Sequence, residues 1–364
     1  MKKSLVIMAA MGVALLLVVG SILLAGTVSS AQAAAGTHTW TGAVDQNWSN
    51  PANWSPATTP VYTDGMDCLL PAGAPRYPAV EFDTLDCGGV VRIESGARLD
   101  TSNVDFSMTD AQISGTWRLN GYVDLHGSHH KMVVSPGGLL YFDGLDGGSG
   151  DSNTGTPPLD QNAFLISGTL RISGTATIYR DTNLFVGPSG LVDLQPGADL
   201  SIDDNGQLVN HGTLQQTNVV NGATSFFMVN GMPSGGAPGN STLKYAGVTI
   251  TPTAGSLSTT TVRLKGDQTC APGAVERCYE IQPTNPVSAT LRFYYLGGEA
   301  NGNTAPNVYV LNGTQYDALP SVQGSNGGQL YAQGDGGSQY GHFVLKDSQP
   351  APQVRLYLPA LYRK

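Results

Sequence analysis

The sequence predicts an all-β protein: a right-handed parallel β-helix followed by a β-sandwich. Three observations carry this. A Gly-x-apolar-x-apolar phrase recurs through the middle of the chain, with its glycines at Gly115, Gly138, Gly168, Gly190 and Gly212, spaced 23, 30, 22 and 22 residues apart. A repeat near that period, built from short alternating strands, marks a solenoid. Only 12% of residues are charged, against 47 glycines and 22 prolines, a turn-rich balance that favours strands over helices. After residue 240 the repeat stops, and short strand-like runs such as "TTTVRLKG" and "ATLRFYYL" follow one another as in a sandwich.

The elements follow in chain order. Residues 1–33 read as a signal peptide: Lys2 and Lys3, an apolar run from Ser4 to Gly26, then the small-x-small site Ala31-Gln32-Ala33. The run is long for a signal, so an uncleaved membrane anchor is the rival reading. Removing the leader takes away two lysines and no acid, so the net charge moves from −9 to −11. A chain this acidic argues against nucleic acid as a partner. Membrane contact is expected only through the leader, if it is uncleaved.

Residues 36–60 hold three of the four tryptophans, Trp40, Trp48 and Trp54. A solenoid ends in an open apolar cross-section that something must cover. The three indoles are expected to lie over the first coil as a cap; the alternative is a stacking platform that binds sugar rings.

Residues 61–229 are the β-helix repeats. The pairs Trp117/Leu119, Leu140/Phe142, Leu170/Ile172 and Val192/Leu194 point inward on successive coils, and Val123/Leu125, Ala176/Ile178 and Leu200/Ile202 line another wall. The repeat glycine is expected to supply a turn conformation that other residues resist. An earlier copy, "ESGARLDTSN", fits if its apolar pair Ala97/Leu99 is shifted by one. Residues 230–240 are a Gly/Pro/Ser-rich linker, 241–348 the sandwich and 349–364 a Pro-rich tail. From 61 to 230 there are 7 basic and 19 acidic residues, and from 241 to 364 there are 9 and 7, which supports two modules.

Four cysteines fall in two local pairs, Cys68 with Cys87 and Cys270 with Cys278, as disulfides of an exported chain would. Neither pair has zinc-ligand spacing. The insertion "DGLDGGSGDSN" gathers Asp143, Asp146 and Asp151, hard oxygen ligands that would suit Ca²⁺; a polar loop is the bland alternative, and no other cofactor is expected. Asp199, Asp203 and Asp204 form a second acidic loop. His126 and His130 would share a strand face, with His129 opposite, but no third metal ligand is evident. Asn47, Asn53, Asn240 and Asn312 open glycosylation sequons of little weight. Asp193 and Asp124 occupy equivalent outward slots between apolar residues, with Arg118 and Arg171 in comparable ones, the only hint of a carbohydrate-active enzyme. No nucleophile elbow, phosphate loop or dinucleotide fingerprint is present.

The segment "WTG…NWS…ANWSP" at 40–60 resembles the opening of bacterial surface β-helix proteins of the autotransporter-passenger or haemagglutinin-like sort, in which a Trp-rich segment precedes the coils. The resemblance covers roughly 40–220. The C-terminal module looks like the β-sandwiches appended to secreted repeat proteins, and the end "VRLYLPALYRK" is similar to short tails of exported proteins. The likeness implies a secreted or cell-surface location and a structural or adhesive role toward extracellular glycans or cell-surface components, and it implies no catalytic residues. The chain departs from a full autotransporter in lacking, after residue 250, a long series of amphipathic strands for a membrane barrel. The sequence thus predicts an adhesive scaffold that displays loops for binding glycans, surfaces or other cells, the 143–162 insertion foremost, with a polysaccharide lyase or glycoside hydrolase, or a carbohydrate-binding module, as the alternatives.

Overall fold

A computed structural model of the chain describes residues 36–125, 131–146, 163–178, 183–202, 208–227, 247–266, 268–326, 329–335 and 337–348. The leader, the 230–240 linker, the 349–364 tail, the 126–130 histidines, Asp151, Asp203 and Asp204 lie outside the described residues. Among the described residues the chain is all-β, with no α-helix, and contains a β-solenoid of about five turns. No helix among them is long and apolar enough to cross a membrane.

Each turn contributes a strand to each of two walls. In the first wall, Thr37–Trp40, Asp67–Leu70, Val90–Ile93, Asp110–Ile113, Lys131–Val134, Ala163–Ile166, Asn183–Val186 and Leu208–Asn210 pair in parallel, one after another. The second wall runs from Ala79–Glu81 and Thr84–Asp86 through Arg98–Ser107, Thr116–Leu125, Leu139–Asp146, Thr169–Ser173 and Leu191–Leu194 to Thr213–Val220. Thr175–Ile178 and Asp199–Ile202 pair beside it.

Side chains alternate across a strand, so one register position repeats on every rung. Leu70, Ile93, Ile113, Val134, Ile166 and Val186 are register partners in the first wall, and all are buried. Opposite them stack Leu99, Trp117, Leu140, Leu170, Val192 and Leu214. The four inward pairs read from the repeat are all buried, as are Ala176 and Leu200. No single coil could cover these side chains; stacking does.

Two sequence expectations change. The repeat glycines do not sit at positive φ. A Cβ built on Gly190 would lie on the carbonyl oxygen of Ile166, and one on Gly138 on that of Ile113, the preceding coil's backbone. The recurrent glycine therefore permits close stacking of coils at a corner rather than a special turn. Second, the early copy aligns with Leu99 and Thr101, not Ala97 and Leu99, against Trp117 and Leu119. Ala97 takes the glycine slot, and the buried Thr101 hydroxyl accepts from the Trp117 indole N–H at 3.1 Å.

The second wall does not stop with the solenoid. Thr213–Val220 pairs on its far side with Ser258–Gly266, now antiparallel, and the sheet continues through Arg277–Pro283, Gly341–Lys346 and Asn307–Asn312 to Gln315–Ala318. A separate antiparallel sheet orders Ser225–Phe227, Val248–Pro252, Ala289–Tyr295, Gln329–Asp335 and Ser321–Asn326. Tyr279, Ile281 and Phe343 from the first sheet and Ile250, Leu291 and Phe293 from the second belong to the same buried cluster as the solenoid interior.

Candidate functional site: a polar row on the long sheet

The N-terminal segment closes one end of the column. Trp54–Ser55 pairs antiparallel with Thr37–Trp40 and ends the first wall in a two-residue strand. Trp40, Trp48 and Trp54 are 1%, 2% and 3% exposed. Trp54 meets Trp40 and Trp48 edge-on at 5.1 and 4.7 Å between ring centres, and Trp40 and Trp48 are stacked at 6.4 Å. Every indole N–H is used: Trp40 donates to the Arg76 carbonyl at 2.7 Å, Trp48 to Asp86 at 3.2 Å and Trp54 to Trp48 at 2.7 Å. Asp86 lies in the outermost strand of the second wall, so an indole satisfies part of its free edge. The sugar-platform reading of these residues is corrected by their burial: no indole face is left for a ring to stack on.

Polar side chains hold the cap's loop. Buried Asn53 accepts from the Val44 and Asp45 amides at 3.0 and 3.1 Å. Hydrogen bonds from the Asn47 amide and the Asn50 and Asn53 side chains hold the Asp45 carboxyl below the usual carboxylate range. The Asp64 carboxyl, 2.9 Å from His38 Nε2, is also lowered: burial alone would raise it, but the Met66 amide, His38 and the Val61 amide outweigh that. Beneath the indoles, the Cys68–Cys87 disulfide ties a first-wall strand to the residue following Thr84–Asp86, with Cα atoms 6.1 Å apart. Cys270–Cys278 closes a loop in the C-terminal part.

The calcium ligands do not assemble among the described residues. Asp143 Oδ1 accepts from Ser173 Oγ at 2.7 Å, Asp143 and Asp146 are separated by a register shift, and Asp151 lies outside. No group of three His, Cys, Asp or Glu among the described residues is placed to hold a metal ion.

What the fold does assemble is a row. On the outward side of the long sheet, the residue between the two inward ones is in register from strand to strand: Asp100, Arg118, Tyr141, Arg171, Asp193, Gln215, Arg263, Glu280 and His342. Most members are held by a neighbour on the row or beside it. Arg98 reaches Asp100 at 2.9 Å, and the Arg118 guanidinium lies 4.8 Å over the Tyr141 ring. Ser173 gives its proton to Asp143, so the Tyr141 hydroxyl, 2.8 Å from Ser173 Oγ, is the donor there. Arg171 Nε donates to Asp193 Oδ2 at 3.0 Å, Gln195 to the same oxygen at 2.8 Å, and Gln215 to Oδ1 at 2.9 Å. Arg263 bridges Gln215 at 2.6 Å and Glu280 at 3.2 Å. The row begins beside a cleft of about 180 Å³ lined by Glu81, Arg98, Asp100, Arg118, Tyr141 and Asp143, among others.

Of the enzyme hints, Arg171 and Asp193 are brought into contact and Arg118 onto the same row. Asp124 is not: its register partner is Asp105, beyond an irregularity in the strand pairing, whereas Arg118 is its strand's member of the row. The Asp193 side chain is 7% exposed, and both of its oxygens are taken by three donors from its neighbours. Tyr141, Asp100, Gln215, Arg263 and Glu280 were not singled out from the sequence. The signal was there for two of them: Tyr141 and Gln215 occupy the middle slot of the repeat phrase. Compared with protein-family models, curated proteins and solved structures, the chain matches none.

Proposed function

We propose that the chain is an exported structural and adhesive scaffold of the cell surface or extracellular space, and that the outward row of the long sheet is its binding face for a glycan. One observation carries this: the row keeps register from Asp100 to His342, through parallel and antiparallel strands alike, and from Arg171 to Glu280 its side chains hydrogen-bond to one another without a gap. Preorganised hydrogen-bonding groups around a half-buried aromatic ring and an exposed guanidinium suit a hydroxyl-rich polymer lying along the sheet, since little side-chain entropy is lost on binding. The leader sequence and the two disulfides support export. In this reading the solenoid is right-handed, as parallel crossovers overwhelmingly are, and the two antiparallel sheets form the β-sandwich; the autotransporter-like resemblance belongs to the same proposal. Partners would be extracellular glycans, with no nucleic acid.

The test is retention of the leaderless chain on gels bearing plant and bacterial polysaccharides. The Arg118→Ala/Tyr141→Ala double variant should lose about tenfold in affinity with an unchanged melting temperature. Retention equal to that of the wild type would overturn the assignment to this face. Turnover of a gel polysaccharide would overturn the scaffold reading in favour of a carbohydrate-active enzyme.

A further inference from the structure

The second antiparallel sheet carries its own outward row, on a different face of the molecule. Phe226, Thr249, Arg292, Gln333 and Val322 are register partners across all five strands. Two residues along, Thr251 pairs with Thr290, and the Thr224 and Thr251 hydroxyls are 2.9 Å apart. Together they enclose a cleft of about 280 Å³ lined by Thr224, Phe226, Thr249, Thr251, Thr290, Arg292, Tyr294 and Gln333, with no carboxylate in the lining.

Arg292, like Arg118 on the other face, has a tyrosine ring and no carboxylate among its contacts with the described residues. Arg92, Arg98, Arg171, Arg263 and Arg277 each hold an aspartate or glutamate. Among the described residues Arg292 pairs with none, in a chain with nine more acids than bases. It is nevertheless fixed: Nε and Nη2 both donate to Gln333 Oε1, at 3.1 and 2.8 Å, and its guanidinium lies 4.4 Å over the Tyr331 ring. Gln333 Oε1 leaves the positive charge uncompensated, and Nη1 takes no part in these bonds. The nearest acid along the strand pairing, Asp335, accepts from Thr290 Oγ1 at 3.1 Å.

A fixed, uncompensated guanidinium among hydroxyls is an acceptor for an anionic group. Phe226, 53% exposed, adds an open aromatic face two strands away, about 10 Å at the usual strand spacing. An inorganic anion would use the guanidinium but gain nothing from the phenyl ring or the threonines. We infer that this cleft is a second binding site, distinct from the row of the long sheet, and that it takes an acidic saccharide. A sugar ring rests on Phe226, its neighbour's carboxylate meets Arg292, and the threonine hydroxyls meet the intervening hydroxyls.

The experiment is titration of the leaderless full chain with oligogalacturonate, a neutral dextran oligomer of equal length, and inorganic phosphate. Oligogalacturonate should bind, weaken as salt rises, and lose about tenfold or more in affinity in Arg292→Gln and in Phe226→Ala. The Arg118→Ala/Tyr141→Ala chain, altered only in the other face, should bind it as the wild type does. Phe226→Ala changes an exposed side chain and keeps the test valid should Arg292→Gln fail to fold. Equal binding of dextran, phosphate binding as tightly as the oligomer, or oligogalacturonate binding unchanged in Phe226→Ala would each overturn the inference.

Discussion

Truncating Trp54 to alanine separates the two readings of the tryptophan cluster. The side chain is 3% exposed, contacts Trp40 and Trp48 edge-on, and gives its N–H to the Trp48 carbonyl. Removing a buried indole costs about 3–5 kcal/mol, which includes the cavity and the lost ring contacts. The Trp48 carbonyl, deprived of its donor, adds about 1 kcal/mol. A total of about 4–6 kcal/mol is a large part of the roughly 5–15 kcal/mol that stabilises a typical fold. Because solenoid coils contact only their neighbours, the loss should appear first at the capped end. Urea denaturation followed by circular dichroism should show a lower midpoint. Hydrogen exchange should rise in Thr37–Trp40 and Asp67–Leu70 well before it rises in Ala289–Tyr295. Trp54→Phe, which keeps the ring contacts and loses the donor, should cost only about 1–2 kcal/mol. An unchanged urea midpoint together with lost glycan retention would refute the cap and restore the sugar platform.

Two kinds of glycine should respond differently to alanine. Gly190→Ala drives a Cβ into the Ile166 carbonyl and should cost upward of about 3 kcal/mol, whereas Gly197→Ala, at φ +78 with open space around it, should cost about 1–2 kcal/mol; denaturant midpoints in the reverse order would remove the stacking explanation. Asp193→Ala leaves Arg171, Gln195 and Gln215 without their shared acceptor and should lower stability by about 1–3 kcal/mol without abolishing any turnover, since the carboxylate orients neighbours; loss of a catalysed reaction would contradict this. Asp64 has a folded-state pKa below its ordinary value, so its contribution is present above the usual carboxylate range and disappears as pH falls through the folded value. Acid melts of the wild type should therefore drop more steeply below that range than those of Asp64→Asn, and parallel curves would count against the hydrogen-bonded carboxylate.

The alternation of Trp117/Leu119, Leu140/Phe142 and their counterparts was enough to place the inward face, because inward residues recur with a period of two along each strand. The tryptophan density at the start was enough to suggest a cover. What spacing could not convey was why Gly190 is glycine: positive φ and close approach leave the same letter in the sequence, and only the position of the Ile166 carbonyl distinguishes them. Thr101 escaped because a threonine in an apolar column reads as a break, until the Trp117 indole is seen donating to it. The union of Thr213–Val220 with Ser258–Gly266 joins strands far apart in the chain, and no periodicity encodes such a partner. The Arg292 cleft depends on that kind of pairing as well, with Phe226, Thr249 and Gln333 drawn from three separate strands.

The same continuity bears on how the molecule would hold a ligand. A parallel solenoid has two ends at which strand edges invite a further chain. One end here is covered by indoles and a two-residue strand. At the other, the second wall passes directly into antiparallel strands and terminates at Gln315–Ala318, a short, largely exposed edge that carries Asp317. An edge strand that is short and charged discourages pairing with another copy. Growth of the long sheet is therefore opposed at Gln315–Ala318, and its outward face is left as the surface with repeated, aligned recognition groups. Rungs at the strand spacing of about 4.8 Å present such groups at a regular interval, so a polymer could engage several at once and rebind locally after any one contact breaks. On that basis, single substitutions along the row should weaken attachment in a graded way, with changes around Tyr141 and Arg118, where the ring and guanidinium are offered beside the cleft, mattering most.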